Sequence, residues 1–256
     1  MSEKKVAVIT GAANGIGEAT AQHFSRQGNA VALCDIVDQI EEVHESLTAS
    51  GTECLMRKCD VSDEDQVKTF IEDVVAHFGR IDALVNNAGI VIVKPLEETN
   101  WEDYRRVVDV NLGGIFLFCK HVLPVMKKQK RGAIVNMGSV SGHVGQTDHA
   151  IYGVSKGAII AFTRAIAWEV APYSIRVNSV SPGSVDTPML RSDIQLESRR
   201  TGKTFEEVKK IREAEQAFNR WAEPAEIAEA IYFLASDAAS FITGTDLLID
   251  CGWVAK

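Results

Sequence analysis

Tyr152 and Lys156 stand four residues apart in the run Ile151-Tyr152-Gly153-Val154-Ser155-Lys156. On a helix that spacing stacks phenol and ammonium one turn apart on one face. A free phenol has a pKa of about 10, and a fixed cation beside it favours the phenolate. Such a pair suits general acid/base work on an alcohol or carbonyl oxygen. Many surface helices carry a Tyr-x-x-x-Lys, so its meaning rests on what the rest of the chain builds in front of it.

The first such element is the apolar run Val6–Thr10, the composition of a strand buried on both faces. It leads into a turn carrying Gly11, Asn14, Gly15, Ile16 and Gly17, then an amphipathic stretch from Glu18 to Gln27. Strand, glycine turn and helix form the setting that a dinucleotide fingerprint requires. Glycines let the backbone approach a pyrophosphate, and the helix start offers unpaired N–H groups. A second buried run, Val31–Asp35, ends in a carboxylate eighteen residues after Gly17. That is close to the spacing of an acid that binds the adenosine ribose. Asp35 is suited to accept hydrogen bonds from ribose hydroxyls and to repel a 2′-phosphate, and Ala12, Ala13 and Asn14 supply no cation to receive one. The predicted cofactor is NAD(H) rather than NADP(H).

Further strands are predicted at Cys54–Cys59, Ala83–Asn86, Gly132–Ser139, Ile175–Ser181 and Asp246–Asp250. Helical patterns fall near Asp63–Phe78, Trp101–Lys128, Ala150–Ala171 and Pro224–Ser236. This alternation predicts a single α/β domain over residues 1–256, a doubly wound, seven-stranded parallel sheet of Rossmann type with helices on both faces. Ligands of such sheets bind beyond the carboxyl ends of the strands. Gly11, Asp35, Asp60, Asn86, Ser139 and Pro182 all fall at such ends.

Taken together, these motifs resemble the short-chain dehydrogenase/reductase family, in its classical subgroup, over essentially the whole chain. Thr10–Gly17 resembles the family's cofactor turn, and Asp60-Val61 its adenine-contacting pair. The run Asn86-Asn87-Ala88-Gly89 resembles the motif that ends the fourth strand and steadies the central sheet. Asn111, Ser139, Tyr152 and Lys156 match its catalytic tetrad, and Pro182-Gly183 with Val185 and Thr187 the segment beside the nicotinamide. Cys251 departs from the glycine more usual near the C-terminus, which touches nothing catalytic. The resemblance implies hydride transfer with Tyr152 as acid/base and Ser139 holding the reacting oxygen. It also implies that Lys156 lowers the Tyr152 pKa and binds the nicotinamide ribose, and that Asn111 holds a relay water. Homotetramers built on the helices around Trp101–Lys128 and Ile151–Val170, with the C-terminal helix and strand, are implied as well. Ile159, Ile160, Phe162, Ile166 and Trp168 offer more apolar surface than one core face needs.

Substrate identity is less legible. Ser141, His143, Gln146 and His149 lie between Ser139 and Tyr152 and could bond a sugar, polyol or hydroxy acid. A lid is expected at about 187–218, where Arg191, Arg199, Arg200 and Lys203 could meet an anion, while Glu206 and Lys210 read as a pair on a solvated face. The leading expectation is an NAD-dependent dehydrogenase of secondary alcohols. A 3-oxoacyl-thioester reductase shares the tetrad but usually takes NADPH, which Asp35 disfavours. A non-catalytic NAD(H)-binding regulator would have no use for a matched acid/base.

Composition narrows the partners. The 256 residues are 46% hydrophobic with a net charge of −8, against the basic face that nucleic acid calls for. The one basic run, Lys127–Arg131, reads as a helix C-terminus. Five cysteines without a Cys-x-x-Cys fit a reducing cytoplasm, with Cys34 and Cys119 as buried thiols. The six histidines have no metal spacing, so no catalytic metal is expected. Met1–Lys5 runs straight into the first strand, which leaves no room for a signal peptide, and no uninterrupted apolar stretch approaches the ~20 residues of a membrane span.

Overall fold

In the computed structural model, which describes residues 4–256, every residue of β1 (Val6–Thr10) is buried, as a strand covered on both faces requires. The expectation resting on Met1, Ser2 and Glu3 lies outside the described residues. Successive residues alternate between two cores: Val6 and Val8 enter one, Ala7 and Ile9 the other. The further strands are β2 (Ala30–Asp35), β3 (Cys54–Lys58), β4 (Ala83–Asn86), β5 (Gly132–Met137), β6 (Ile175–Pro182) and β7 (Asp246–Ile249). All pair in parallel, in the order β3-β2-β1-β4-β5-β6-β7. The order reverses beside β1, which opens a crevice at the carboxyl ends of β1 and β4.

Parallel pairing needs crossovers, and helices supply them. α1 (Gly15–Arg26), α2 (Ile40–Ala49) and α9 (Pro224–Ala235) bury Phe24, Val43 and Ile231 on one face of the sheet. α3 (Glu64–Phe78), α5 (Gly114–Gln129) and α6 (Ala150–Val170) bury Phe70, Phe118 and Ile159 on the other. The helix α2 was not foreseen, although Ile40, Val43 and Leu47 have the spacing that buries one helical face.

The helix expected over Trp101–Lys128 is three pieces: α4 (Trp101–Val108), a π-helical turn at Asp109–Gly113, and α5. The stretches Trp101–Gln129 and Ala150–Tyr173 are long and apolar enough for a membrane span by length and mean hydropathy, although charged residues interrupt both. Their apolar residues Val122, Met126, Ile159 and Ile166 are instead buried against the sheet. For the same reason the supposed surplus on α6 is smaller than expected: Ile159, Ile160 and Ile166 are core, while Trp168 is 85% exposed. The lid is helical, with α7 (Pro188–Thr201) and α8 (Phe205–Ala214) closing on a core of their own around Ile194, Val208 and Trp221. On α8 the ion pair joins Lys209 and Glu213 (3.7 Å) rather than Glu206 and Lys210, and Glu207 is held in a capping box with Thr204.

Candidate active site

The carboxyl ends of β1, β2, β4, β5 and β6 open on one cleft of about 520 Å³. Each residue that the sequence assigned to the cofactor lines this cleft except Gly17, which lies behind the glycine turn. Gly17 is there for close approach, since a Cβ would stand 2.0 Å from the Gly11 carbonyl oxygen. Gly15 has a left-handed φ of 56°, and a Cβ on it would come within 3.1 Å of Thr187 across the cleft. The turn is braced by Asn87, whose Nδ2 donates to the carbonyls of Thr10 (3.0 Å) and Gly11 (2.9 Å). Thr10 Oγ1, which the sequence did not single out, accepts from the backbone N–H groups of Asn87 and Ala88.

Asp35 at the end of β2 accepts from Ala13 N–H through Oδ2 (3.0 Å) and from Ile36 N–H through Oδ1 (2.7 Å). Val37 N–H also points at Oδ1 (3.4 Å); an ionised carboxylate has about four acceptor positions, so Oδ2 can still accept. Asp60 is held by Ser62, whose N–H and hydroxyl donate to Oδ1. The glycine turn, the start of α1 and these two acids therefore form a cradle suited to a dinucleotide: N–H groups for a pyrophosphate, the Asp35 carboxylate for sugar hydroxyls and the Asp60 carboxylate for an adenine edge.

Tyr152 and Lys156 share one face of α6, with Lys156 Nζ 5.5 Å from the phenol ring centre. Lys156 is only 3% exposed, and its Nζ donates to the Met137 carbonyl at 2.7 Å. Burial lowers its pKa to about 7. Burial also pushes the half-buried Tyr152 up to about 12, with a hydrogen bond from Ser139 pulling the other way and the charge of Asp193 adding to the rise. The net direction for the phenol is therefore upward, because desolvation penalises the charged form of both groups. Ser139 Oγ donates to Ser141 Oγ (3.2 Å), which donates to Gln146, so three residues of the pocket wall form one chain.

Asn111 does not line the cleft. It sits fully buried in the π turn, accepting from Ile90 N–H (2.8 Å) and donating to Ile90 O (2.9 Å) and to Ser155 Oγ (3.1 Å). Ser155 in turn donates to the Tyr152 carbonyl (2.7 Å), so Asn111 ties the loop after β4 to the turn of α6 that carries the tyrosine. A π turn inside a helix is a frequent mark of a functional site.

At the substrate end, Ser141, Gln146 and His149 line the cleft, but His143 does not. Its imidazole is drawn to Asp246 (2.7 Å), whose other oxygen accepts from Ser179 and Ser181. The lid cations are also placed elsewhere: Arg191 pairs with Asp186 and Arg200 with Asp148, and neither they nor Arg199 and Lys203 line the cleft. The lid cation that does line it is Arg212 of α8, with Met189, Leu190 and Asp193 from one face of α7; Arg106 of α4 lines the cleft as well. The spacing of these three was the available signal, masked by the polar residues around them.

His149 is buried, with Nδ1–H donating to the Thr147 carbonyl (2.6 Å) and Nε2 3.5 Å from Asp193. Burial alone would lower its pKa, but Asp193 and the Thr147 carbonyl outweigh that and raise it.

A family model described as enoyl-(acyl carrier protein) reductase matches residues 11–254. A cis-4-hydroxycyclohexanecarboxylate dehydrogenase of Sinomonas cyclohexanicum is 41% identical over 98% of this chain and 97% of its own. The solved structure of NAD+-bound xylitol dehydrogenase superposes with a TM-score of 0.92 at 35% identity, covering 97% of this chain and 99% of that one. A variant of actinorhodin polyketide ketoreductase with NADPH superposes with a TM-score of 0.96 at 32% identity, covering 100% and 99%.

Proposed function

The chain belongs to the short-chain dehydrogenase/reductase family, and we propose that it is an NAD(H)-dependent oxidoreductase interconverting secondary alcohols and their carbonyl compounds. The observation that carries this reading is the convergence on one cleft of Tyr152, Ser139 and Lys156, with the Asp35 carboxylate at its far end. Gly11, Asn14, Gly15 and Ile16 would hold the pyrophosphate, Asp35 the adenosine ribose, Asp60 and Val61 the adenine, and Lys156 the nicotinamide ribose. The segment Pro182–Thr187, with Ala88 and Gly89, would flank the nicotinamide. When bound, the nicotinamide supplies a hydride acceptor for alcohol oxidation and a hydride donor for carbonyl reduction.

In oxidation, Tyr152 takes the proton of the substrate hydroxyl as the carbinol carbon loses its hydride; in reduction it returns that proton to the carbonyl oxygen. Ser139 holds the same oxygen within reach of the phenol. Positive charge near the phenol opposes the burial that raises its pKa, so Tyr152 is expected to act as acid and base in the loaded enzyme. Asn111 is a positioning residue. Its amide is committed to Ile90 and Ser155; the relay water is what the family resemblance implies for this residue.

The preference for NAD rests on Asp35, an acceptor-only group beside which a 2′-phosphate would meet like charge. The description of the matching family model favours a second reading, reduction of a carrier-bound acyl chain. The charge of −8 offers little to an acidic carrier, and the alcohol dehydrogenase reading stands first. The exposed Trp168, Val154 and Phe116 on α5 and α6 support self-association as a homotetramer. All five cysteines are free, which suits the cytoplasm. The test is Tyr152→Phe: turnover is expected to fall at least ~10³-fold with NADH affinity nearly unchanged. Activity retained by this variant would remove Tyr152 from its role.

A further inference from the structure

The substrate end of the cleft holds a carboxylate that the mechanism above leaves unused. Asp193 of α7 lines the cleft, its side chain is only 9% exposed, and its Oδ1 has no hydrogen-bond partner. Its Oδ2 is only loosely engaged, 3.5 Å from His149 Nε2 and 3.9 Å from Arg212 Nη2. A buried carboxylate oxygen without a donor destabilises the fold, and native proteins rarely keep one without a use. The position is near the chemistry, since the His149 ring that neighbours Asp193 at 3.5 Å is also 6.3 Å from the Tyr152 phenol, centre to centre.

The surrounding charge selects the donor. Arg212 is spent on Glu197 (2.7 Å) and faces Glu215 (3.9 Å) as well as Asp193, so three carboxylates share one guanidinium and the His149 imidazole. Glu215 has a buried unpartnered oxygen of its own. A substrate carboxylate would therefore meet repulsion here, whereas a neutral hydroxyl would supply the missing donor. Met189 and Leu190, one helical turn before Asp193 on the same face, provide the apolar wall for a carbon skeleton.

We propose that Asp193 accepts a hydrogen bond from a second hydroxyl of the substrate, so that the enzyme takes neutral diols or polyols in preference to simple secondary alcohols and to hydroxy acids. This deepens the dehydrogenase reading and rests on it for the reacting hydroxyl. Asp193 is a specificity residue.

The experiment is calorimetric titration of the full-length enzyme–NADH complex, in which no alcohol can be oxidised, with two matched pairs: butane-2,3-diol against butan-2-ol, and cyclohexane-1,2-diol against cyclohexanol. Hydrogen bonds to a charged group give about a ten- to hundredfold preference, and at least tenfold tighter binding of one diol over its partner is expected. Asp193→Leu is expected to remove that preference while leaving the mono-alcohols within about twofold, and Asp193→Asn, which keeps the shape, to reduce it. In turnover with NAD+, 3-hydroxybutyrate is expected to be a poorer substrate than butane-2,3-diol. The proposal is overturned if the wild type binds diol and mono-alcohol alike, if it binds neither, or if both variants weaken the two equally, as a merely structural lid residue would. A diol preference in binding without turnover of any alcohol contradicts the dehydrogenase reading instead and leaves the role of Asp193 standing.

Discussion

At one end of the cleft the ligand-facing groups are backbone and strand-end residues: the Gly11–Gly17 turn, Asp35 closing β2 and Asp60 after β3. At the other end they are side chains of two lid helices and a loop: Met189, Leu190, Asp193, Arg212, Gln146 and His149. The first end is rigid by construction, because Gly17 packs on the Gly11 carbonyl and Asn87 bonds the same turn from β4. The second has its own small core around Ile194, Val208 and Trp221, and it meets the rest of the cleft through side-chain ion pairs, His149–Asp193 at 3.5 Å and Arg200–Asp148 at 2.9 Å. Geometry fixed by glycines and strand ends suits a ligand that every relative of a family shares; geometry fixed by helix side chains suits one that varies.

The largest expected effect that separates the two ends comes from Gly17→Ala. Its Cβ has no room beside Gly11, and overpacking of this kind costs roughly 1–3 kcal/mol. NADH affinity, measured by fluorescence titration, is expected to fall by about the hundredfold that the upper value corresponds to, with the lid helices still folded by circular dichroism. Unchanged affinity would break the view that the cofactor end is held by close packing.

A smaller effect is expected at the junction, where Lys156 stands between the two ends. Burial holds its pKa near 7 against an ordinary 10.5, so between those values the unfolded chain binds the extra proton. Stability therefore rises with pH across that window; the cost of burying the ammonium is full below about pH 7 and fades as pH approaches 10.5. The melting temperature of Lys156→Met, minus that of the wild type, is expected to be greatest near pH 6.5 and to shrink by several degrees toward pH 10. A difference independent of pH would contradict the buried, proton-poor lysine.

The same contrast explains what could be read from the chain alone. Gly11, Asp35, Asp60, Ser139 and Pro182 were legible because a strand end has one place to go, the carboxyl edge of a parallel sheet, whereas Asn87 was legible only through the family resemblance. The seven strands were legible for the same reason, each being a short apolar run with a turn behind it. The π turn at Asp109–Gly113 was not, because its residues continue a helical pattern and only tertiary bonds from Asn111 to Ile90 and Ser155 reveal it. His143 was misplaced because Asp246, more than a hundred residues later, captures it. Asp193 and Arg212 lie on helices whose composition reads as a solvated face, and only packing of α7 against α8 turns them inward. Long-range electrostatics leave no local periodic trace.

The most direct test of the account is the ratio of kcat/KM for NAD+ and NADP+, measured with the same secondary alcohol for the wild type and for Asp35→Ala. NAD+ is expected to be favoured by about a hundredfold in the wild type, as like-charge repulsion of a few kcal/mol implies, and the variant is expected to lose most of that preference. Equal use of the two cofactors by the wild type, or an unchanged ratio in Asp35→Ala, would contradict the assignment of Asp35 and with it the reading of the cofactor end.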